Sequence, residues 1–210
     1  MLIQEKIKQA KQLLKEFNID CWITFTRESQ INGDPTLQFL SSADVTWHSA
    51  FIMTKSGKAI AIVGQYDKKM IEDLNAYDNV IGYVQSIKEP LLENLKKIAP
   101  EQIALNYSIG SEISDGITHG MYLTMTNYLS ELGYKGKIIS AEKITSALRE
   151  RKAKSEIENI KAAIKHTLQI FKLVTKYIQP GKTEKQIADF MKAEVNKRKL
   201  GYAWDENVCP

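Results

Sequence analysis

The tightest constraint on this chain lies between Ser155 and Phe190, where two helix-forming segments are divided by a Pro-Gly break. Apolar side chains at Ile157, Ile160, Ile164, Leu168, Phe171, Val174 and Ile178 recur every three or four residues, the spacing that gathers them into one stripe of an α-helix. Ser155 with Glu158 three residues later matches a capping box, and Thr183 with Gln186 repeats that pattern directly after Pro180-Gly181. A large aliphatic side chain gains roughly 1.5–3 kcal/mol on burial. Such a stripe therefore demands a covering surface, either residues 1–150 or another chain.

Ahead of this pair the pattern changes. Residues 2–17 predict an amphipathic helix with Ile3, Ile7, Ala10, Leu14 and Phe17 on one face. The run C-W-I-T-F-T from Cys21 predicts a strand. Residues 27–48 are polar and punctuated by Gly33, Asp34-Pro35 and Ser41-Ser42, which predicts a long loop around a short apolar turn at Leu37–Leu40. A hairpin is expected at Ala50–Thr54 and Lys58–Val63, a helix at Tyr66–Ala76 and a strand at Asn79–Val84. Pro90 suits the first turn of a helix running to Ile98, and Gln102–Tyr107 reads as a strand. A long loop carries Gly110 and Gly116, and a helix is expected over His119–Leu132, stopped by Gly133. Lys137–Ser140 and Ala141–Leu148 then predict a last strand and a short helix. Strands alternating with helices after an initial hairpin argue for an α/β fold, a mixed sheet flanked by helices. The composition shift at Arg149–Ala153 predicts two domains, 1–150 and 151–210.

Composition narrows the function classes. No apolar run approaches the ~20 residues of a membrane span, and Met1-Leu2-Ile3 is followed at once by charges, unlike a signal peptide. Cys21 and Cys209 are the only cysteines, far apart, so neither a disulfide framework nor a metal knuckle is expected and a cytoplasmic location is. Residues 151–210 hold 13 Lys/Arg against 7 Asp/Glu, whereas residues 1–150 hold 16 against 18. The lysines of the basic segment are interleaved with acids and lack stacking aromatics, the mark of solvated helix faces, so no nucleic-acid partner is expected.

Several stretches carry a resemblance. R-E-R-K-A-K-S-E-I-E from Arg149 and P-G-K-T-E from Pro180 resemble the opening of the catalytic domain in the pita-bread metallopeptidases, the family of aminopeptidase P, prolidase, methionine aminopeptidase and creatinase. T-R-E-S-Q-I-N-G-D-P-T-L from Thr26, D-V-T-W-H-S-A-F-I from Asp44, S-I-K-E-P-L from Ser86 and D-G-I-T-H-G-M-Y-L from Asp115 are similar to a bacterial branch of the aminopeptidase P group. The resemblance implies a creatinase/prolidase-type N-terminal domain with a ribonuclease-H-like sheet over 1–150 and the first helices of a pita-bread domain over 151–210. It implies an enzyme that removes the residue preceding proline, acting through two divalent metals (Mn, Co or Zn). The ligands of those metals are expected beyond Pro210, so neither catalytic residues nor metal ligands are expected in this chain. By itself it is expected to be inactive, serving oligomerisation, as a homodimer, and formation of the peptide substrate's pocket. Two alternatives stand beside this: a non-catalytic peptide- or protein-interaction module of the same fold, and a prolidase- or creatinase-like enzyme.

The residues agree that chemistry is sparse. None of the three histidines, His48, His119 and His166, sits in H-E-x-x-H. Adjacent Asp205 and Glu206 would point to opposite faces of a strand. No G-x-S-x-G elbow is present, and Cys21 belongs to an expected core strand. The loop of residues 27–48 is the richest segment. Arg27, Asp34, Trp47 and His48 combine charge and aromatic groups in one long connection and are the candidate substrate-binding residues. Two readings stay open: a pocket wall, which the resemblance favours because the matching edge commonly bounds the pocket of a neighbouring subunit, or an Arg27–Asp34 pair with Trp47 in the core of the hairpin.

Overall fold

The structure is a computed structural model that describes residues 1–202; the Asp205-Glu206 pair and Cys209 lie outside the described residues. Two compact units divide after Lys154.

The first unit is built on a six-stranded sheet. Helix α1 (Leu2–Glu16) precedes β1 (Cys21–Thr26), then come β2 (Ser49–Thr54), β3 (Ala59–Gly64), α2 (Lys68–Glu72), β4 (Asn79–Tyr83), α3 (Lys88–Ile98), β5 (Gln102–Leu105), α4 (His119–Glu131), β6 (Lys137–Ser140) and α5 (Glu142–Glu150). The strand order is β4-β3-β2-β1-β5-β6. β1, β2 and β3 pair antiparallel, with Cys21 opposite Thr54 and Ala50 opposite Ile62, while β4, β5 and β6 join in parallel. The α/β mixed sheet expected from the sequence is the fold observed.

Side chains alternate across this sheet as the pleat requires. Trp22, Phe51, Met53, Ala61 and Ala104 face a core shared with α1 and α5. Ile23, Phe25, Ile52, Ile62 and Leu105 face a second core closed by Leu91 and Leu95 of α3 and Met121, Met125 and Leu129 of α4. Both faces are covered, so β1, β2 and β3 are buried at every position. This explains why their sequences read as continuous apolar runs.

Local chemistry sets most boundaries. The β2–β3 turn needs a left-handed residue and has Gly57 at φ +95°. Thr118 caps α4 by accepting a hydrogen bond from the Met121 amide, which leaves His119 exposed on the first turn. Two expectations need correction. The helix foreseen over Tyr66–Ala76 is only Lys68–Glu72, with Asp67 at its N-cap, and Asn75 turns left-handed at φ +49° just past its end, which a continuing helix does not allow. The strand foreseen to Tyr107 stops at Leu105, because Asn106 leaves the ladder for the hydrogen bonds described below.

α1 carries a residue that periodicity does not foresee. Lys6 is fully buried, and its ammonium donates to the carbonyls of Leu148 at 2.7 Å and Arg151 at 3.0 Å. A cation on the last carbonyls of α5 satisfies groups the helix itself cannot.

The second unit contains α6 (Lys154–Tyr177) and α7 (Glu184–Lys197). α7 opens with the foreseen capping box, the Thr183 amide donating to Gln186 Oε1 at 3.0 Å and the Gln186 amide to Thr183 Oγ1 at 3.2 Å. α6 starts one residue before Ser155, which therefore lies inside its first turn rather than at the cap. Tyr177 and Phe190 stack with ring centroids 4.2 Å apart, clamping the two helices at the Pro-Gly break. On the foreseen stripe Val174 is buried, yet Ile157, Ile160, Ile164, Leu168, Phe171 and Ile178 remain between 42% and 56% exposed.

Candidate functional site

Three of the four candidate residues meet at the carboxyl end of β1. Arg27 follows that strand directly, and Trp47 and His48 precede β2, its antiparallel neighbour. Together with Glu28, Thr46, Tyr83, Val84 and Gln85 they line a cavity of about 390 Å³. Trp47 and Tyr83 form its aromatic wall, and Tyr66 packs against the indole from outside the lining. The Trp47 ring lies 5.9 Å from Tyr83 and 5.9 Å, edge-on, from Tyr66. Gly64 supports this packing, since a Cβ there would meet the indole at 3.0 Å. Trp47 is thus half-buried, core on one side and wall on the other.

The polar groups are also placed by the fold. The Tyr83 hydroxyl donates to the His48 carbonyl at 2.8 Å. Burial pushes the Tyr83 phenol up to about 12, so it stays a donor across physiological pH. Burial and then the nearby Arg27 guanidinium hold the His48 imidazole below its ordinary range, which favours the neutral ring at pH 7. Among the described residues, neither the Arg27 guanidinium nor the Glu28 carboxylate has a hydrogen-bond or ion-pair partner, and both side chains are exposed. Glu28 has a left-handed backbone at φ +43°, uncommon for a residue with a Cβ. The conformation is held by the Glu28 amide on the Thr46 carbonyl and the Ser29 amide on the Val45 carbonyl, each at 3.0 Å.

Asp34 does not join the other three. It is 3% exposed, accepting from the Thr36 amide and hydroxyl at 2.8 and 2.7 Å and from Asn106 Nδ2 at 2.8 Å. Asn106 also donates to Thr24 Oγ1 and accepts from Trp22 Nε1 at 2.6 Å. Gly116 presses on this hub, for a Cβ there would lie 2.3 Å from the Asp34 carboxylate. Asp34 is therefore an anchor of the loop, not part of the wall of the Arg27 cavity, and no Arg27–Asp34 pair forms.

Tyr66 and Tyr83 went unrecognised in the sequence, whereas Glu28 stands out there with the other charged groups of the loop. Tyr66 and Tyr83 belong to segments remote in sequence from the loop, and only β3–β4 pairing brings them to it. The remaining histidines contribute nothing here: His119 is exposed on α4 and His166 is on α6. Among the described residues, no three His, Cys, Asp or Glu side chains group so as to hold a metal ion. No helix among them is long and apolar enough to cross a membrane.

No protein-family model matches the chain, and no curated protein matches it. Solved structures do. An Xaa-Pro dipeptidase from Bacillus anthracis superposes with a TM-score of 0.56 at 17% identity over 93% of this chain and 49% of that one. An X-Pro aminopeptidase from Thermotoga maritima MSB8 gives 0.55 at 18% identity, over 91% and 49%. A recombinant prolidase from Thermococcus sibiricus gives 0.58 at 16% identity, over 97% and 52%. The chain thus spans about half the length of these structures. At such identities the likeness establishes the fold, a mixed sheet with flanking helices that matches prolidase/creatinase-type N-terminal domains.

Proposed function

We propose that this chain is the N-terminal portion of a cytoplasmic metallopeptidase of the aminopeptidase P and prolidase type, and that its own part is to wall the peptide pocket. The observation that carries the reading is the convergence of Arg27, Trp47 and His48 on one cavity, with the guanidinium unpaired among the described residues. Arg27 offers charge-assisted hydrogen bonds to a peptide carboxylate. The Trp47 and Tyr83 faces offer an apolar wall of the size of a proline ring. The neutral His48 ring adds a donor and an acceptor without adding charge.

In this reading residues 1–150 form the creatinase/prolidase-type domain, residues 151–210 open the catalytic domain, and the protein works as a homodimer. The resemblance implies two divalent metals (Mn, Co or Zn) for the complete enzyme, which would supply Lewis-acid chemistry there. The described residues do not fit such a centre, because no group of three suitable ligands converges among them. A dipeptidase of the prolidase type is an equal neighbour of the fold; activity on dipeptides but not on longer Xaa-Pro peptides would select it.

The pocket reading is tested by titrating the chain with an Xaa-Pro peptide while following the indole N–H resonance of Trp47. A saturable shift, weakened in Arg27→Ala, is expected. No shift at millimolar peptide sinks the reading. Release of the N-terminal residue from Xaa-Pro peptides by the native protein with Mn²⁺ tests the enzymatic part; inactivity there, with peptide binding retained, would favour the interaction module.

A further inference from the structure

A cavity of about 500 Å³ lies at the far end of the sheet from Arg27, where the amino ends of the parallel strands β3 and β4 meet the last turns of α3. Ile60 of β3 and Ile98 of α3 give it apolar lining, and Lys58, Asn79, Asn94 and Lys97 give it polar groups. Asn94 is 8% exposed, and its Nδ2 donates to the Pro90 carbonyl of its own helix at 2.8 Å. Its Oδ1 has no donor among the described residues and is not sealed off, so it opens on the cavity. A nearly buried acceptor left without a donor is costly. Asp78, also at the cavity, accepts from the Ala59 amide at 2.6 Å and from Lys11 at 2.9 Å, and Lys11 balances its charge. The ammoniums of Lys58 and Lys97 have no ion-pair partner among the described residues, so the uncompensated charge at the cavity is positive.

These groups ask for two kinds of ligand atom at once. Two unpaired ammoniums favour a dianion such as a phosphate ester. Asn94 Oδ1, and the last carbonyls of α3 with their partial negative charge, favour hydroxyl donors and oppose a bare anion. We propose that this cavity binds a small phosphorylated polyol, whose phosphate is held by Lys58 and Lys97 and whose hydroxyls donate to Asn94 Oδ1. Ile60 and Ile98 receive its carbon chain, and the volume lies within the range of small-molecule sites. The site shares no residue with the Arg27 cavity and does not depend on the peptide-pocket reading.

The test is isothermal titration calorimetry of the 210-residue chain with glycerol 3-phosphate, inorganic phosphate and glycerol, beside spectra of its ¹⁵N-labelled asparagine side chains. Saturable binding of glycerol 3-phosphate with a shift of the Asn94 side-chain amide is expected, inorganic phosphate should bind about tenfold more weakly, and glycerol should not bind. Lys58→Gln with Lys97→Gln, both at exposed positions, should weaken glycerol 3-phosphate about tenfold or more. The same change of charge on α6, Lys161→Gln with Lys165→Gln, should leave it unchanged. Asn94→Leu should bring glycerol 3-phosphate down to the affinity of inorganic phosphate; should that variant unfold, the lysine pair at the cavity decides the matter. No saturable binding at millimolar glycerol 3-phosphate refutes the site. An equal loss in the two lysine pairs assigns the attraction to net charge and refutes it as well. Equal affinity for glycerol 3-phosphate and inorganic phosphate overturns the recognition of hydroxyls.

Discussion

Asn106 Nδ2 donates to Asp34 Oδ2 at 2.8 Å, joining the end of β5 to a loop 72 residues earlier in the chain. This bond holds the 27–48 loop over the sheet, and with it the position of Arg27, Glu28 and Trp47. A buried carboxylate is costly unless its oxygens are satisfied, and here the donors come from Asn106 and Thr36. Removing a donor should therefore be felt both in stability and at the Arg27 cavity.

Asn106→Leu is expected to destabilise the first unit by about 2–4 kcal/mol, since it takes a donor from Asp34 and leaves the buried Trp22 indole N–H unpaired. Urea denaturation followed by circular dichroism measures it. A loss below about 0.5 kcal/mol would show that the hub contributes little.

Asp34 should also imprint a pH dependence. Burial raises its carboxyl above the ordinary range, although hydrogen bonds from Asn106 and Thr36 pull it part of the way back. A folded value above the unfolded one, ~3.9, means that the contribution to stability is complete below the unfolded value and is lost as pH rises through the folded value. Between these two values the wild-type chain should lose stability relative to Asp34→Asn as pH increases. Parallel unfolding curves across this window, with a constant difference between the two proteins, would contradict the assignment.

Lys6→Met keeps the bulk of the side chain but removes the donor to the Leu148 and Arg151 carbonyls. Charge-assisted hydrogen bonds of this kind contribute about 1.5–3 kcal/mol, and a drop of that size is expected in the thermal unfolding of the first unit. Because α5 ends there, amide exchange should accelerate first over residues 147–151. Unchanged protection of those amides would separate Lys6 from the capping role.

Arg27→Ala and Trp47→Ala, measured in the complete peptidase, should raise KM for Xaa-Pro peptides with a smaller change in kcat, because both groups lie away from the reacting bond. Steady-state kinetics beside thermal melts decide the matter. Variants that keep KM and lose only Tm would assign both residues to the fold.

The half-exposed stripe of α6 predicts self-association of the 210-residue chain. Five large apolar side chains of α6, and Ile178 just past its end, are between 42% and 56% exposed and favour a covering surface. Analytical ultracentrifugation should find a concentration-dependent dimer, dissociated by Ile164→Lys with Leu168→Lys. A wild-type monomer at all concentrations, with α6 intact by circular dichroism, would rule out pairing through this face.

What the sequence determined by itself is what short-range physics encodes. Apolar runs such as C-W-I-T-F-T mark strands, the 3–4 spacing from Ile157 marks α6, and Thr183 with Gln186 marks the start of α7, because each signal lies within a few residues of the structure it specifies. The loop of residues 27–48 was legible as irregular, and Arg27, Trp47 and His48 as chemically notable within it. The tertiary structure alone decided that Asp34 turns inward to Asn106, that Lys6 is buried on the end of α5, and that Tyr83 completes the wall beside Trp47 while Tyr66 packs on the indole. These contacts link residues far apart in the chain. A buried polar group takes whichever partner the packed sheet brings within hydrogen-bond reach, and no local pattern records which one that is.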